Sequence, residues 1–164
     1  MNIYLIGMMG SGKSTVGKIL SEKMHKPFID LDSEIELGIG KNISEIFDTD
    51  GEKQFRKMET KQLKQYFESI IACGGGIVLN NENRNFINEN GTAILLTASK
   101  EELSHRLSDS VNRPLLAENN KEEILKKLWL ERQLNYLNTA NFIIETDRKS
   151  PEQLTEEILL YINP

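Results

Sequence analysis

Gly7-Met8-Met9-Gly10-Ser11-Gly12-Lys13-Ser14 is the stretch that decides the fold. It fits the pattern G-x-x-x-x-G-K-[ST], and its setting matters as much as its letters. A short apolar run, Ile3-Tyr4-Leu5-Ile6, precedes it; Val16, Ile19, Leu20 and Met24 follow at helical spacing. The reading is a buried strand, a glycine-rich bend and a helix over 13–24. Glycines let successive backbone N–H groups point into one concavity. The helix start adds partial positive charge, and Lys13 adds a full, mobile one for the β- and γ-phosphates. The Ser14 hydroxyl suits Mg²⁺. The stretch is therefore expected to cradle a nucleoside triphosphate, with Gly10, Ser11, Gly12, Lys13, Ser14 and Thr15 as contacts. By itself it leaves open whether the terminal phosphoryl goes to water or to an acceptor.

Working outward, apolar segments alternate with helical patterns. Pro27-Phe28-Ile29-Asp30-Leu31, Ile70-Ile71-Ala72-Cys73, Thr92 to Thr97 and Asn141 to Glu145 read as strands. Helical periodicity covers 52–67 and 120–137. Ser99-Lys100-Glu101-Glu102 reads as a capping box, and so does Ser150-Pro151-Glu152-Gln153, with proline at the first helical position. Five short apolar strands alternating with helices predict an α/β fold with a parallel sheet covered on both faces. No repeat, linker or low-complexity tract divides the 164 residues, so one domain over 1–164 is expected. Ligands of such sheets sit beyond the carboxyl ends of the strands, where Gly7, Asp30, Asp32 and Gly74 fall.

Composition narrows the partners. The net charge is −5, so no global basic field holds nucleic acid, and an anionic ligand must meet local cations. One cysteine, Cys73, excludes an intramolecular disulfide and points to a reducing compartment. The opening apolar run is too short for a signal segment or a membrane span. A cytoplasmic location and a monomer are the expectation.

Several residues suggest an acceptor site, each with a plainer alternative. Asp30-Leu31-Asp32 puts two carboxylates at alternate positions past a strand, where both can face one direction; they could equally cap a helix. Arg56 and Glu59 share a helix face, as a surface ion pair would. Arg132 lies among Leu125, Leu128, Trp129 and Tyr136 on the inward face of its helix, so it needs an anionic partner, structural or ligand. Gly74-Gly75-Gly76 permits close backbone approach to a ligand or makes a plain turn. Arg106 and Arg113-Pro114-Leu115-Leu116 bracket the polar stretch 108–112, where a closing loop could bring a cation to the transferring phosphoryl.

Together these residues resemble the shikimate kinase family, within the nucleoside-monophosphate-kinase-like P-loop kinases. The resemblance runs through the opening loop to Gly17, Phe28-Ile29-Asp30-Leu31-Asp32, Ile43-Ser44-Glu45-Ile46-Phe47, Phe55-Arg56-Lys57-Met58-Glu59, Cys73-Gly74-Gly75-Gly76, Arg113-Pro114-Leu115-Leu116 and Arg132 with Tyr136. It implies a three-layer α/β/α fold with a five-stranded parallel sheet in order 2-3-1-4-5. An acceptor-binding segment would span about 32–60 and a lid about 108–118. It implies ATP and Mg²⁺, and transfer to the 3-hydroxyl of shikimate, a step toward the aromatic amino acids. By the same resemblance Lys13, Asp32 and Arg113 are catalytic, with Asp32 binding acceptor hydroxyls as base or positioner. Arg56 and Arg132 clamp the acceptor carboxylate, and the Gly75 N–H binds a hydroxyl. Arg106 and Arg113 reach the nucleotide, and Asp30 supports Mg²⁺ through water, beside Ser14. The family often carries proline between the last acceptor Arg and the Tyr; Arg132-Gln133-Leu134-Asn135-Tyr136 has none, which predicts a less interrupted helix.

Overall fold

Alternate side chains of β1 (Asn2–Ile6), a wholly buried strand, enter two different cores. Tyr4 and Ile6 join Ile71, Ala93 and Leu95 on one face; Ile3 and Leu5 join Ile70, Ile94 and Leu96 on the other. An unbroken apolar run is what a strand covered on both faces requires. In this computed structural model, which describes residues 1–107 and 121–162, β1 pairs in parallel with β3 (Ile70–Ala72) and β4 (Gly91–Thr97). β2 (Phe28–Asp30) lies outside β3, and β5 (Phe142–Glu145) outside β4. The sheet is all parallel, as the alternating strands and helices predict, and its order β2-β3-β1-β4-β5 is the one the resemblance implies.

One face is covered by α1 (Lys13–Met24) and α8 (Pro151–Ile162), which bury Val16, Leu20, Leu154 and Ile158. Gly17 lets α1 lie close to the sheet: a Cβ there would meet the Phe28 ring at 2.5 Å. The other face takes Leu63 from α4 (Glu52–Leu63), Ile87 from α5 (Asn81–Asn90), and Leu125, Leu128 and Tyr136 from α7 (Lys121–Thr139). A small third cluster of Ile35, Ile46 and Phe55 ties α2 (Leu31–Ile39) and α3 (Ile43–Asp50) to α4. α3 carries a full capping box between Asn42 and Glu45. Among the described residues, no helix is long and apolar enough to cross a membrane.

Most boundaries match the sequence reading, and the differences have local causes. The helix expected over 52–67 ends at Leu63, and Glu68 then turns through a positive φ of 52° before β3. The box at Ser150 forms in both directions with Gln153. The one at Ser99 does not: its hydroxyl accepts from the Glu102 N–H at the start of α6 (Lys100–Arg106), but its own N–H donates to Asp147. α7 runs unbroken past Gln133-Leu134-Asn135, as the missing proline predicts. The lid expected at about 108–118, with Arg113, lies outside the described residues.

Candidate active site

The bend after β1 passes through Gly7, Gly10 and Gly12 with φ of 140°, 80° and 95°, a region L side chains avoid. A Cβ on Gly7 would also sit 2.3 Å from the Leu96 carbonyl oxygen, so β4 presses the loop from behind. Gly12 offers α1 no side-chain cap, which leaves the first N–H groups of the helix for an anion. The Lys13 ammonium folds back over the loop and donates to the carbonyls of Gly7 (2.9 Å) and Met8 (2.8 Å). The sequence-derived contacts Gly10, Ser11, Gly12, Lys13, Ser14 and Thr15 thus line one bend and one helix start.

Ser14 and Asp30 meet beside it. The Ser14 hydroxyl donates to Asp30 Oδ2 at 2.5 Å, and Asp30 Oδ1 accepts from the Ser33 N–H at 3.3 Å. Asp30 therefore does cap a helix, and still presents a carboxylate oxygen to the loop. Asp32 stands in the first turn of α2, so strand alternation does not set its direction, contrary to the sequence argument. Its carboxylate turns instead toward the end of β3.

There the three glycines each face a different neighbour. A Cβ on Gly74 would lie 2.7 Å from Asp32 Oδ1 and 2.6 Å from Glu59 Oε1. One on Gly75 would lie 3.5 Å from Arg132 Nη1 and 3.6 Å from the Met9 backbone nitrogen. One on Gly76 would lie 2.3 Å from both terminal nitrogens of Arg56. Three consecutive positions without side chains thus let two arginines, two carboxylates and the phosphate loop gather round one turn.

The arginines are held from behind. Arg56 donates to Glu59 (2.9 Å) and to Glu52 (3.0 Å). Its partner Glu59 is 0% exposed, so this is no surface ion pair. Burial pushes the Glu59 carboxyl up to about 7, against the opposing pull of Arg56. Arg132 is 3% exposed, as its place among Leu125, Leu128 and Tyr136 predicts. Among the described residues, its Nε and Glu59 Oε1 are buried without a hydrogen-bond partner. Such atoms are costly unless something else meets them. The Tyr136 hydroxyl donates to the Gly75 carbonyl, Trp129 stacks on its ring, and burial raises its pKa.

Arg106, at the end of α6, stands on the opposite side of the loop. It donates to the Gly10 carbonyl (3.3 Å), to the Thr146 hydroxyl (3.1 Å) and to Glu102 (2.7 Å), so it braces the loop against the end of β5. Sequence reasoning missed Thr146, which carries no motif. It also missed the depth of Glu59. The signal was available: Phe55, Glu59 and Leu63 repeat every fourth residue, which puts the acid in an apolar stripe.

The chain is similar to known proteins over nearly its whole length. A family model described as "Shikimate kinase" matches residues 9–163. A shikimate kinase of Sulfurihydrogenibium sp. is 42% identical over 98% of this chain and 97% of its own, and one of Persephonella marina is 43% identical over 96% of each. Among solved structures, a shikimate kinase from Acinetobacter baumannii in complex with shikimate superposes with a TM-score of 0.96 at 37% identity, covering 99% of this chain and 92% of that one. A deoxyadenosine kinase from M. mycoides, at a TM-score of 0.65 and 18% identity, shares the fold alone. With matches that span the loop, α2 to α4 and the arginine of α7 alike, the chain belongs to the shikimate kinase family.

Proposed function

We propose that the chain transfers the γ-phosphoryl group of ATP to the 3-hydroxyl of shikimate, giving shikimate 3-phosphate and ADP. The observation that carries this is the gathering of Arg56, Arg132 and Asp32 at successive glycines of the 74–76 turn, directly beside the phosphate loop. Shikimate is a carboxylate with three hydroxyls. Two guanidinium groups give a forked, directional grip on a carboxylate, and Asp32 with the Gly75 N–H suits hydroxyls. The chain is acidic overall, yet two guanidinium groups are brought to this one turn.

The loop N–H groups and Lys13 would hold the triphosphate, which must draw the ammonium off the Gly7 and Met8 carbonyls. Ser14 Oγ and Asp30 Oδ2 are adjacent hard oxygens, a donor set that fits Mg²⁺, with Asp30 acting through water. The ion would neutralise charge between the β- and γ-phosphates. Arg106 would line the nucleotide site, and Arg113 would reach the phosphates from the 108–118 segment. The transition state of phosphoryl transfer is loose, so the protein's work is mainly alignment and charge neutralisation. Asp32 would orient the acceptor hydroxyl and take its proton as the oxygen–phosphorus bond forms.

ADP release in a coupled assay, titrated with shikimate, tests the reading. Turnover that depends on shikimate is expected; turnover equal without it, or higher with gluconate or a nucleoside monophosphate, refutes the assignment. Asp32→Asn is expected to lose most of kcat while ATP binding survives. Near-normal turnover would remove Asp32 from the reaction.

A further inference from the structure

Glu59 is wholly buried, and only half of its carboxylate is answered. Oε2 accepts from Arg56, whereas Oε1 has no hydrogen-bond partner among the described residues. Around it stand Arg56 and, through Arg56, Glu52 on its own helix, Asp32 from α2, Arg132 and Tyr136 from α7, and the buried Cys73 thiol after β3. Tyr136 and Cys73 are held neutral by burial. The inner charges are thus two guanidinium groups and two carboxylates, balanced before any ligand enters.

An anionic acceptor gripped by Arg56 and Arg132 adds a third negative charge to this enclosed set. A surplus charge in a water-poor site is expensive, and the cheapest remedy is to neutralise the acid that is most buried and least solvated. Glu59 is that acid. Neutralisation also repairs a defect already present. Oε1 and Asp32 Oδ1 flank the same point, 2.6 and 2.7 Å from where a Cβ on Gly74 would be. As a carboxylate, Oε1 can only accept, and it meets no donor among the described residues; as O–H, it gains a hydrogen to donate to an oxygen that comes within reach, of Asp32 or of a ligand hydroxyl.

We propose that Glu59 takes up a proton when the anionic acceptor binds, so that it is a positioning residue whose charge state is linked to acceptor occupancy. The inference rests on the acceptor reading above. Free Glu59 titrates near 7, so near neutral pH part of the protein has this proton still to gain. Linkage then requires acceptor affinity to fall as pH rises above that value, by up to about tenfold per pH unit until the bound form also ionises. It is the reverse of what a purely ionic tether between Glu59 and Arg56 would give, since that tether strengthens as the acid ionises.

Calorimetry of shikimate binding to the intact protein, in buffers of different ionisation enthalpy at about pH 7.5, measures the protons exchanged. Uptake of up to about three-quarters of a proton is expected for the wild type, and none for Glu59→Gln, whose dissociation constant should be flat with pH. Binding with no proton uptake, or uptake undiminished in Glu59→Gln, overturns the inference and leaves the acceptor reading standing. Absence of binding removes the acceptor reading, and this inference with it. Should Glu59→Gln fold poorly, the wild type with ¹³C-labelled glutamate gives the same answer. The Glu59 carboxyl resonance is expected to move toward the protonated position on adding shikimate, and a resonance that stays put or moves the other way overturns the inference.

Discussion

Substituting Gly74 by alanine tests the proposed acceptor site at the 74–76 turn with one methyl group. The added Cβ would stand 2.6 Å from Glu59 Oε1 and 2.7 Å from Asp32 Oδ1, and ordinary contact begins near 3.4 Å. The two oxygens must therefore retreat by about 0.8 and 0.7 Å, or the turn must move by the same amount. Gly74 has no positive φ, so backbone strain does not confuse the result. Glu59 is tied to Arg56 and has no solvent to swing into, so much of the displacement falls on Asp32. Misplacing a reacting group by close to 1 Å costs on the order of 10²-fold in rate. Overpacking of this kind costs about 1–3 kcal/mol of stability, or roughly 2–4 °C in Tm for each kcal/mol. The assay is steady-state kinetics in both substrates, with ADP affinity by calorimetry as the control. A fall in kcat/KM for shikimate of about 10²-fold with ADP binding intact is expected. Turnover within about twofold of wild type, or an equal loss in ADP affinity, would refute the reasoning, because the methyl group acts at the acceptor side alone.

Three further outcomes follow from the same contacts. Arg132→Ala removes one arm of the proposed carboxylate clamp, a charged hydrogen bond of about 1.5–3 kcal/mol, so acceptor KM is expected to rise or kcat to fall by about ten- to a hundredfold; unchanged constants would make Arg132 structural. Ser14→Ala is expected to raise the Mg²⁺ concentration needed for half-maximal rate while metal-free nucleotide binding barely changes, and an unaltered Mg²⁺ dependence would exclude the hydroxyl as a ligand. The Glu59 carboxyl is raised from 4.5 to about 7 by burial, so between those values the folded protein holds a proton that the unfolded chain has lost. Stability of the ligand-free protein should therefore fall as pH rises through that window, by up to about 1.4 kcal/mol per pH unit. Glu59→Gln, which has nothing to ionise, should show a shallower slope in urea melts; identical slopes would show that Glu59 does not titrate there.

The sheet was legible in the sequence because strands buried on both faces leave unbroken apolar runs, as in Ile3 to Ile6 and Ala93 to Leu96. The phosphate loop was legible because its glycines and lysine sit at fixed offsets. Arg132 was legible through the apolar residues on its helix face. α3 and α5 were not, and α2 was read only as one alternative for Asp30-Leu31-Asp32, because it starts at Leu31, inside what reads as the end of a strand. A helix beginning one residue after β2 is held by the Asp30 cap, one of the two alternatives read from the sequence, and by packing on Phe55, which no local pattern encodes. What the sequence could not convey about the site is convergence. Nothing in Gly74-Gly75-Gly76 says that each glycine answers a different segment of the chain; that depends on α4 and α7 arriving on the same side of the sheet.

Arg106 joins Gly10, near the start of the chain, to Thr146, near its end, and α8 then packs on α1. The order of manufacture thus runs against the order of assembly. The loop is made well before the residues that brace it, and the brace is complete only once β5 has emerged. A growing chain stopped before residue 146 carries every glycine of the loop and the lysine, but not the strut that fixes their curvature. Chains that stop before Thr146 should therefore grip triphosphate poorly, although the motif itself is intact.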